Sequence, residues 1–177
     1  MNSPRTAGRF DIPEIVRVIN AAYRVEDFFV NGNRTSDTDI AARMATPGVS
    51  FLVVDDEIPG RLAAAVSVDV LDGRGHFAML SVDPEHQGKG LARSLMAAIE
   101  DHCRSAGCTE LDIEVVNLRE ELPAFYTAFG YSPSGTAPFT PPEKLTRPAH
   151  LVRMTKTLTT ENTETTERTQ LLNAHQQ

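Results

Sequence analysis

The segment from Leu80 to Arg93, LSVDPEHQGKGLAR, constrains the fold more than any other part of the chain. It reads as an apolar strand followed by a turn, by Gly88 and Gly90, and then by a helix. Glycine lets backbone N–H groups approach an anion closely, and the first turn of a helix adds unpaired donors and the positive end of its dipole. The segment therefore predicts a cradle for a pyrophosphate. Two other phosphate loops do not fit, because the dinucleotide pattern needs glycine where Arg93 stands and the P-loop needs GxxxxGK followed by Ser or Thr.

Periodic segments on both sides of the cradle predict the remaining elements. Apolar residues at helical spacing predict helices over Asp11–Arg24 and Asp37–Met44, one from Leu91 to a stop at Gly107, and a short one between Pro123 and Gly130. Short apolar or alternating runs predict strands over Phe51–Val54, Leu62–Leu71, His76–Val82, Leu111–Val116 and Leu151–Met154. This order combines antiparallel hairpins with one strand–helix–strand crossover. We therefore predict a single α+β domain with a central mixed, mostly antiparallel sheet flanked by helices.

Length and charge limit the class of protein. A chain of 177 residues suits one domain with a single core. The formal net charge of −7 argues against a nucleic-acid partner and against an anionic membrane, since both need a basic surface. No run of about 18 apolar residues occurs, and the N-terminus lacks the apolar core of a signal peptide, so we expect a cytoplasmic protein.

The composition changes near Leu158. Residues 159–177 are rich in Thr, Glu, Gln and Asn, and their only adjacent apolar pair is Leu171-Leu172. So little apolar surface cannot form a core, and we predict a folded domain over 1–158 with a disordered tail over 159–177. A docking peptide within the tail is the alternative.

The spacing of cysteine and histidine predicts no metal site. Cys103 and Cys108 lie five residues apart and match no metal-ligand or redox spacing, so we expect free, buried thiols. The five histidines are scattered, without the HExxH pair that would place two ligands on one helical face.

Three motifs together resemble a known family. Gln87 to Ala92 is similar to the Q/R-x-x-G-x-G/A signature of the GNAT N-acetyltransferases. The preceding LSVDP and the later Phe125 to Tyr131, FYTAFGY, resemble that family's fourth strand and its FYxxxGF/GY segment. The motifs occur in the family's order, and the span from about Thr6 to Leu158 can be laid along the family's fold. The resemblance implies a GNAT-like fold and an acyltransferase that moves the acetyl group of acetyl-CoA to an amine.

The resemblance also implies roles for single residues. The strand backbone at Leu80, Ser81 and Val82 would hydrogen-bond the pantetheine arm of acetyl-CoA. The pyrophosphate would be held by the residues of the signature and the one after it, namely Gln87, Gly88, Lys89, Gly90, Leu91, Ala92 and Arg93. Tyr126 matches the family's general acid, which protonates the coenzyme A thiolate as it leaves. The bland alternatives are a core strand, an ordinary glycine turn before a helix, and a tyrosine that serves packing.

One position departs from the family's pattern. The family commonly places Asn about seven residues before the tyrosine, whereas Asn117 precedes Tyr126 by nine, with Pro123 between them. Asn117 is therefore either a cofactor contact or a residue that ends the strand and bonds the local backbone.

The group that removes the proton of the amine is left open by the sequence. An attacking amine must be neutral although its pKa is about 10, so a base or a water chain is needed. Glu114 and His76 rank first as catalytic bases, with Asp69 and Ser81 acting through water as alternatives. Strand alternation puts His76 on the same face as Ala78 and Leu80.

The acceptor side is predicted only by position in the fold. It would be built from Tyr23 to Arg43 and from a Pro-rich loop over Pro133 to Pro148, and it suits a small amine, an amino acid or a peptide N-terminus. The sequence also leaves open whether the chain forms a homodimer. A non-catalytic acyl-CoA-binding regulatory module is the second hypothesis, and the presence of Tyr126 favours the enzyme.

Overall fold

A seven-stranded sheet organises the computed structural model, which describes residues 2–159. Its strands are β1 (Arg5–Thr6), β2 (Val49–Asp55), β3 (Leu62–Leu71), β4 (Arg74–Val82), β5 (Glu110–Val116), β6 (Ser132–Pro138) and β7 (His150–Thr157). The α-helices over these residues are α1 (Ile12–Tyr23), α2 (Asp37–Met44), α3 (Leu91–Ser105) and α4 (Glu121–Thr127).

The sheet is antiparallel at every neighbouring pair except one. The strand order is β1-β2-β3-β4-β5-β7-β6, and only β4 and β5 run parallel, joined by α3 as the crossover. The predicted α+β class, with a mixed and mostly antiparallel sheet and a single crossover, is confirmed.

Each face of the sheet carries its own apolar core. On one face α1 and α2 pack against the sheet, and Ile15, Val18 and Ile19 of α1 are fully buried there. Burial of such a side chain stabilises the fold by about 1.5–3 kcal/mol. On the other face α3 and α4 bury Leu95, Ile99 and other side chains against β4 and β5. The cysteines of α3 and of the turn after it are free and buried, as predicted.

Several predicted boundaries agree with the structure. Both α2 and β3 have the predicted limits, and Gly107 follows α3 with φ of +80°, which suits glycine at the end of a helix. Asp11 occupies the N-cap position of α1 without capping it. Its carboxylate instead accepts hydrogen bonds from the Gly8 N–H and from the guanidinium of Arg5.

The prediction of a loop over Pro133 to Pro148 is wrong for its first part, where β6 forms. Within residues 2–159 this strand lies at the edge of the sheet and pairs with β7 alone. An edge strand tolerates proline because one side of its backbone has no partner strand. Its sequence, SPSGTAP, carries no alternating apolar residues and so gives no strand signal.

A β-bulge in β4 overturns the predicted alternation of its faces. Two residues of β4, Met79 and Leu80, lie opposite Val66 of β3, and Met79 has φ of +56°. Before the bulge His76 faces the α1–α2 side, where its Nδ1 lies 3.8 Å from Asp69. After the bulge Leu80 packs on the α3 side. His76 and Leu80 therefore lie on opposite faces, because the extra residue shifts the pleat by one.

Within residues 2–159, no helix is long and apolar enough to cross a membrane. In the same part of the chain no three His, Cys, Asp or Glu side chains are grouped to hold a metal ion. The predicted disordered tail lies outside the described residues from 160 onward, and the domain boundary near 158 stays a prediction.

Candidate active site

The site begins where the two parallel strands separate. β4 and β5 pair only at their first residues, from Arg74 opposite Glu110 to His76 opposite Asp112. Beyond that point β4 continues along β3 to Val82, while β5 pairs with β7 as far as Val116. The edge of β4 that includes Leu80 and Val82 therefore faces an opening instead of a neighbouring strand.

The predicted cradle lies at the end of this opening. Gly88 and Gly90 have φ of +76° and +81°, in the left-handed region that glycine enters without a steric penalty. The first hydrogen bond at the start of α3 runs from the Ser94 N–H to the Gly90 carbonyl. The N–H groups of residues 91–93 precede that bond, so they have no partner inside the helix. A Cβ added at either glycine would meet no atom within 4 Å, which shows that the space above the loop is open.

Buried charge fixes the turn that leads into the cradle. Asp83 is 3% exposed and accepts hydrogen bonds from the Glu85 N–H at 3.0 Å and from the guanidinium of Arg17 on α1. Burial raises the pKa of the Asp83 carboxyl, but the bonds from Arg17 and the backbone outweigh it and leave this pKa below its usual range. The cradle is thereby tied to the helix on the opposite face of the sheet.

A cavity of about 650 Å³ extends from the cradle to α4. Its lining contains most of the residues that the sequence assigned to the cofactor, which are Leu80, Val82, Gln87, Gly88, Gly90, Leu91, Ala92 and Arg93. The far wall is formed by the residues that follow α1 and by α4 with its flanking residues, including Val25, Glu26, Arg119, Leu122, Phe125, Tyr126 and Phe129. The cradle and Tyr126 thus belong to one cavity.

Tyr126 projects into this cavity from α4. The residue is 5% exposed, and its ring packs against Phe77, Phe125 and Tyr131 with centroid distances of 5.0 to 5.9 Å. Burial raises the pKa of the Tyr126 hydroxyl, so the group keeps its proton at neutral pH. A protonated hydroxyl in the wall of a cavity can donate a proton to an anion that forms beside it.

A second cavity of about 370 Å³ adjoins the first, and the two share Tyr23 and Glu26 in their walls. Glu26 is 5% exposed, and its Oε1 accepts a long hydrogen bond of 3.4 Å from the guanidinium of Arg119. Burial raises the pKa of the Glu26 carboxyl, although the positive charges of Arg34 and Arg119 oppose this effect. A carboxylate at the junction of two cavities can accept a proton from a group that bridges them.

Five predicted site residues lie outside the lining of the larger cavity. His76 pairs with Asp69 on the other face of the sheet, and Glu114 accepts a hydrogen bond of 2.8 Å from Arg153 on β7. The side-chain oxygen of Asn117 accepts a bond from the His150 N–H, which joins the end of β5 to the start of β7. Ser81 is buried and donates to the Met79 carbonyl within the bulge, and Lys89 lines a smaller cavity behind the cradle.

The sequence analysis assigned no role in the site to three residues of the cavity wall, Glu26, Arg119 and His86. Glu26 was grouped only with the acceptor segment, although it lies between the cavities. Arg119 comes to Glu26 across 93 positions of the chain, so no local spacing could have indicated it. His86 lines the cavity while its Nε2 lies 3.3 Å from Asp56 in the turn after β2, which is again a contact distant in sequence.

The family profile of the GNAT acetyltransferases matches residues 18–131. Glucosamine 6-phosphate N-acetyltransferase 1 of Oryza sativa subsp. japonica is 34% identical over 87 residues, which cover 45% of this chain and 51% of that protein. The chain spans about half the length of the curated relatives it matches.

Solved structures share the fold along most of the chain. The ribosomal-protein-S18-alanine N-acetyltransferase from Escherichia coli has a TM-score of 0.67 and 21% identity, covering 92% of this chain and 99% of that one. The yncA structure from Salmonella typhimurium, determined with its cofactor acetyl-CoA, has a TM-score of 0.69 and 22% identity, covering 92% and 97%. At this identity the likeness concerns the fold alone. Since the family profile spans more than half of the sequence and includes the cradle and Tyr126, the chain belongs to the GNAT acetyltransferase family.

Proposed function

We propose that this protein transfers the acetyl group of acetyl-CoA to a primary amine. The observation that carries the proposal is the placement of an anion cradle and a buried, protonated tyrosine in the walls of one cavity. The cavity runs from the cradle to α4 and its lining is partly apolar, which suits a thioester on a pantetheine arm with a pyrophosphate behind it. Membership of the GNAT family and the acetyl-CoA held by a structural neighbour support the choice of cosubstrate.

Acetyl-CoA would lie along the opened edge of β4. The free backbone groups near Leu80 and Val82 would bond the pantetheine amides as a strand would. The glycine turn and the N–H groups at the start of α3 would hold the pyrophosphate, with Arg93 available as a counter-charge. Among residues 2–159 the space directly above both glycines is open.

The proposed reaction is a direct attack on the thioester. The amine nitrogen forms a bond to the carbonyl carbon of the acetyl group, and the bond from that carbon to sulfur breaks. The electron pair of this bond stays on sulfur as the coenzyme A thiolate, which takes the proton of the Tyr126 hydroxyl. The nitrogen loses a proton to a base, so the products are an N-acetylated amine and free coenzyme A, and transfer of the proton from the base to the Tyr126 oxygen through solvent restores both groups.

We assign the base to Glu26, acting directly or through one water molecule. The bases suggested by the sequence, Glu114 and His76, are engaged by Arg153 and Asp69 outside the cavity. Glu26 lies in the wall that the two cavities share, as an approaching amine requires. Burial raises the pKa of its carboxyl above the ordinary value of 4.5, which makes it a better base than an exposed glutamate.

The acceptor would enter through the second cavity. Its lining is polar and comes from the end of α1 and the loop before α2, the segments from which the sequence predicted an acceptor pocket. A small amine or an amino acid suits a volume of about 370 Å³. The similarity to a glucosamine 6-phosphate N-acetyltransferase supports an acceptor of this size.

Release of free thiol from acetyl-CoA tests the proposed function. The full chain would be mixed with acetyl-CoA and a panel of amines, amino acids, amino sugars and peptides, and each product would be verified by mass. We expect turnover with at least one acceptor. The mass of that acceptor should increase by about 42 Da, and about one acceptor molecule should be acetylated for each thiol released. Tight binding of acetyl-CoA with no turnover across the panel would instead favour the non-catalytic acyl-CoA-binding module.

A further inference from the structure

A chain of cavities leads away from the proposed reaction centre, and its charge changes sign along the way. The cavity next to Glu26 shares Val30, Asn33 and Arg34 with a third cavity of about 220 Å³. Glu26 thus lies at the inner end of this path and Arg34 lies between its two outer compartments. The third cavity adds Arg43, Lys144 and one carboxylate, Asp39.

Arg34 lies in the walls of both outer cavities, where its positive charge opposes the rise in the pKa of the Glu26 carboxyl without forming a close ion pair with it. Arg119 pairs with Glu26 and Glu121, and Arg43 lies 3.5 Å from Asp69. Within residues 2–159 the Arg34 guanidinium makes no salt bridge, and it lies over the ring of Tyr23, 4.8 Å from the centroid. Stacking on a ring leaves the N–H groups at the edge of the guanidinium free to bond an anion.

Three carboxylates, Glu26, Asp27 and Asp39, lie in the walls of the path. Asp39 accepts hydrogen bonds from the N–H and hydroxyl of Ser36 at the start of α2. Glu26 is buried against Arg119. Asp27 and Arg24 both lie in the lining of the cavity next to Glu26, and both are exposed. Beyond Glu26 the third cavity therefore holds three cations, Arg34, Arg43 and Lys144, against one carboxylate, Asp39, and within residues 2–159 Arg34 and Lys144 form no salt bridge.

We infer that the acceptor amine carries an anionic group, a carboxylate or a phosphate, which Arg34 binds while the amine faces Glu26. This inference rests on the proposed function and narrows its substrate class. Guanidinium binds both anions through paired, charge-assisted hydrogen bonds. A neutral alkylamine would leave the N–H groups of Arg34 without an anionic acceptor. An amine with an anionic group would place its nitrogen next to Glu26 and its negative charge next to Arg34.

Binding to the protein loaded with free coenzyme A tests this without requiring turnover. Calorimetry would compare two matched pairs, leucine with isoamylamine and glucosamine 6-phosphate with glucosamine, so that the pairs separate a carboxylate from a phosphate. We expect the anionic member of at least one pair to bind about tenfold or more tightly than its neutral partner. Equal or weaker binding of both anionic members would overturn the inference.

The variant Arg34→Gln then assigns the preference to one side chain. It should weaken binding of the preferred anionic amine about 10- to 100-fold and change binding of its neutral partner by less than about twofold. Arg9→Gln is the matched control, since Arg9 is also stacked on a ring, 4.7 Å from the centroid of Phe10, but lines none of these cavities. An equal loss for both members of the pair would show that Arg34 only shapes the cavity, and would overturn the assignment.

Turnover of the same four compounds separates this inference from the proposed function. If the anionic preference in binding is present and neither these four compounds nor any acceptor of the wider panel is acetylated, the proposed function fails and the anion site stands. If neutral amines are acetylated as well as anionic ones and Arg34→Gln changes neither, the proposed function stands and the anion site fails.

Discussion

Two buried side chains of the cavity have opposite tasks, and burial shifts the pKa of both in the same direction. Removal from water penalises the charged form of an acid, so it raises the pKa of both the Tyr126 hydroxyl and the Glu26 carboxyl. The tyrosine hydroxyl keeps its proton at neutral pH with or without this shift, since its ordinary pKa is about 10, and the shift makes it a weaker acid. For the glutamate it raises the affinity of the carboxylate for the proton that an amine must lose.

The substitution Tyr126→Phe tests the proton donor at this scale. It removes the hydroxyl and keeps the ring, whose packing against Phe77, Phe125 and Tyr131 should hold the fold. We expect kcat to fall about 10²–10⁴-fold, with acetyl-CoA affinity and thermal midpoint close to wild type. Single-turnover rates across pH would reveal a chemical step that product release conceals. Equal single-turnover rates in the variant and the wild type would reduce Tyr126 to a packing residue.

The pH dependence of kcat/KM tests Glu26. The carboxyl must be deprotonated to act, so activity should be present above its pKa and should be lost as the pH falls through that value. Because burial raises this pKa, we expect the acidic limb above pH 4.5. In the variant Glu26→Gln, the value of kcat/KM on the pH-independent plateau should fall about 10²–10⁴-fold, and the decrease of kcat/KM at acidic pH should disappear. A variant that keeps the acidic limb would show that another group, or the acceptor itself, causes it.

At the scale of elements, the turn between β4 and α3 would bind the pyrophosphate of coenzyme A through its backbone N–H groups instead of through side chains. Replacing Gly88 or Gly90 with Val forces a β-branched residue to positive φ and puts a side chain into the open space above the loop. We expect affinity for acetyl-CoA and for free coenzyme A to fall alike, about tenfold or more, as measured by calorimetry.

A glycine elsewhere in the chain provides the control for strain. Gly60 has φ of +80° and a Cβ added there would meet no atom within 4 Å, as at Gly90, but it lies in the turn between β2 and β3. Gly60→Val should lower the thermal midpoint to a similar extent and leave affinity for coenzyme A unchanged. The cradle assignment fails if Gly60→Val and Gly90→Val have the same effect on affinity.

Elements whose signals are local could be predicted from the sequence. The cradle is one continuous segment, and α2 and β3 carry complete capping or apolar patterns, so their limits agree with the structure. The bulge at Met79 has no such pattern, and alternation therefore placed His76 on the wrong face relative to Leu80. β6 was missed because it has no apolar pattern of its own. Its strand structure depends on pairing with β7.

The base and the anion site depend on contacts between distant parts of the chain. Glu26 gains its buried environment from the end of α1, from Arg119 and from α4, and its pKa follows from that environment instead of from neighbours in sequence. The sequence placed Glu26 and Arg34 in the acceptor segment. It could not distinguish them from a solvated helix face, because exposure at these positions is decided by packing.

At the scale of the whole molecule, residues 2–159 contain every strand of the sheet, both main cores and the cavities described above. β7 ends at Thr157, and Leu158 is buried against the α3 side of the sheet with its N–H bonded to the Thr109 carbonyl at 2.8 Å. A truncation that removes residue 158 should therefore lower the stability of the fold, whereas one that begins at residue 160 leaves all of these contacts in place.

Two truncations test this boundary. Deleting residues 160–177 removes a segment rich in Thr, Glu and Gln, and we expect the thermal midpoint and acetyl-CoA affinity to stay at their full-length values. Deleting residues 158–177 also removes the buried Leu158 side chain and its backbone bond, which should cost about 2–5 kcal/mol, as large-to-small changes in a core do. For a domain of this size that loss lowers the midpoint by several degrees. A similar fall on deletion of 160–177 alone would mean that the tail docks on the domain and acts as the peptide that its composition left as the alternative.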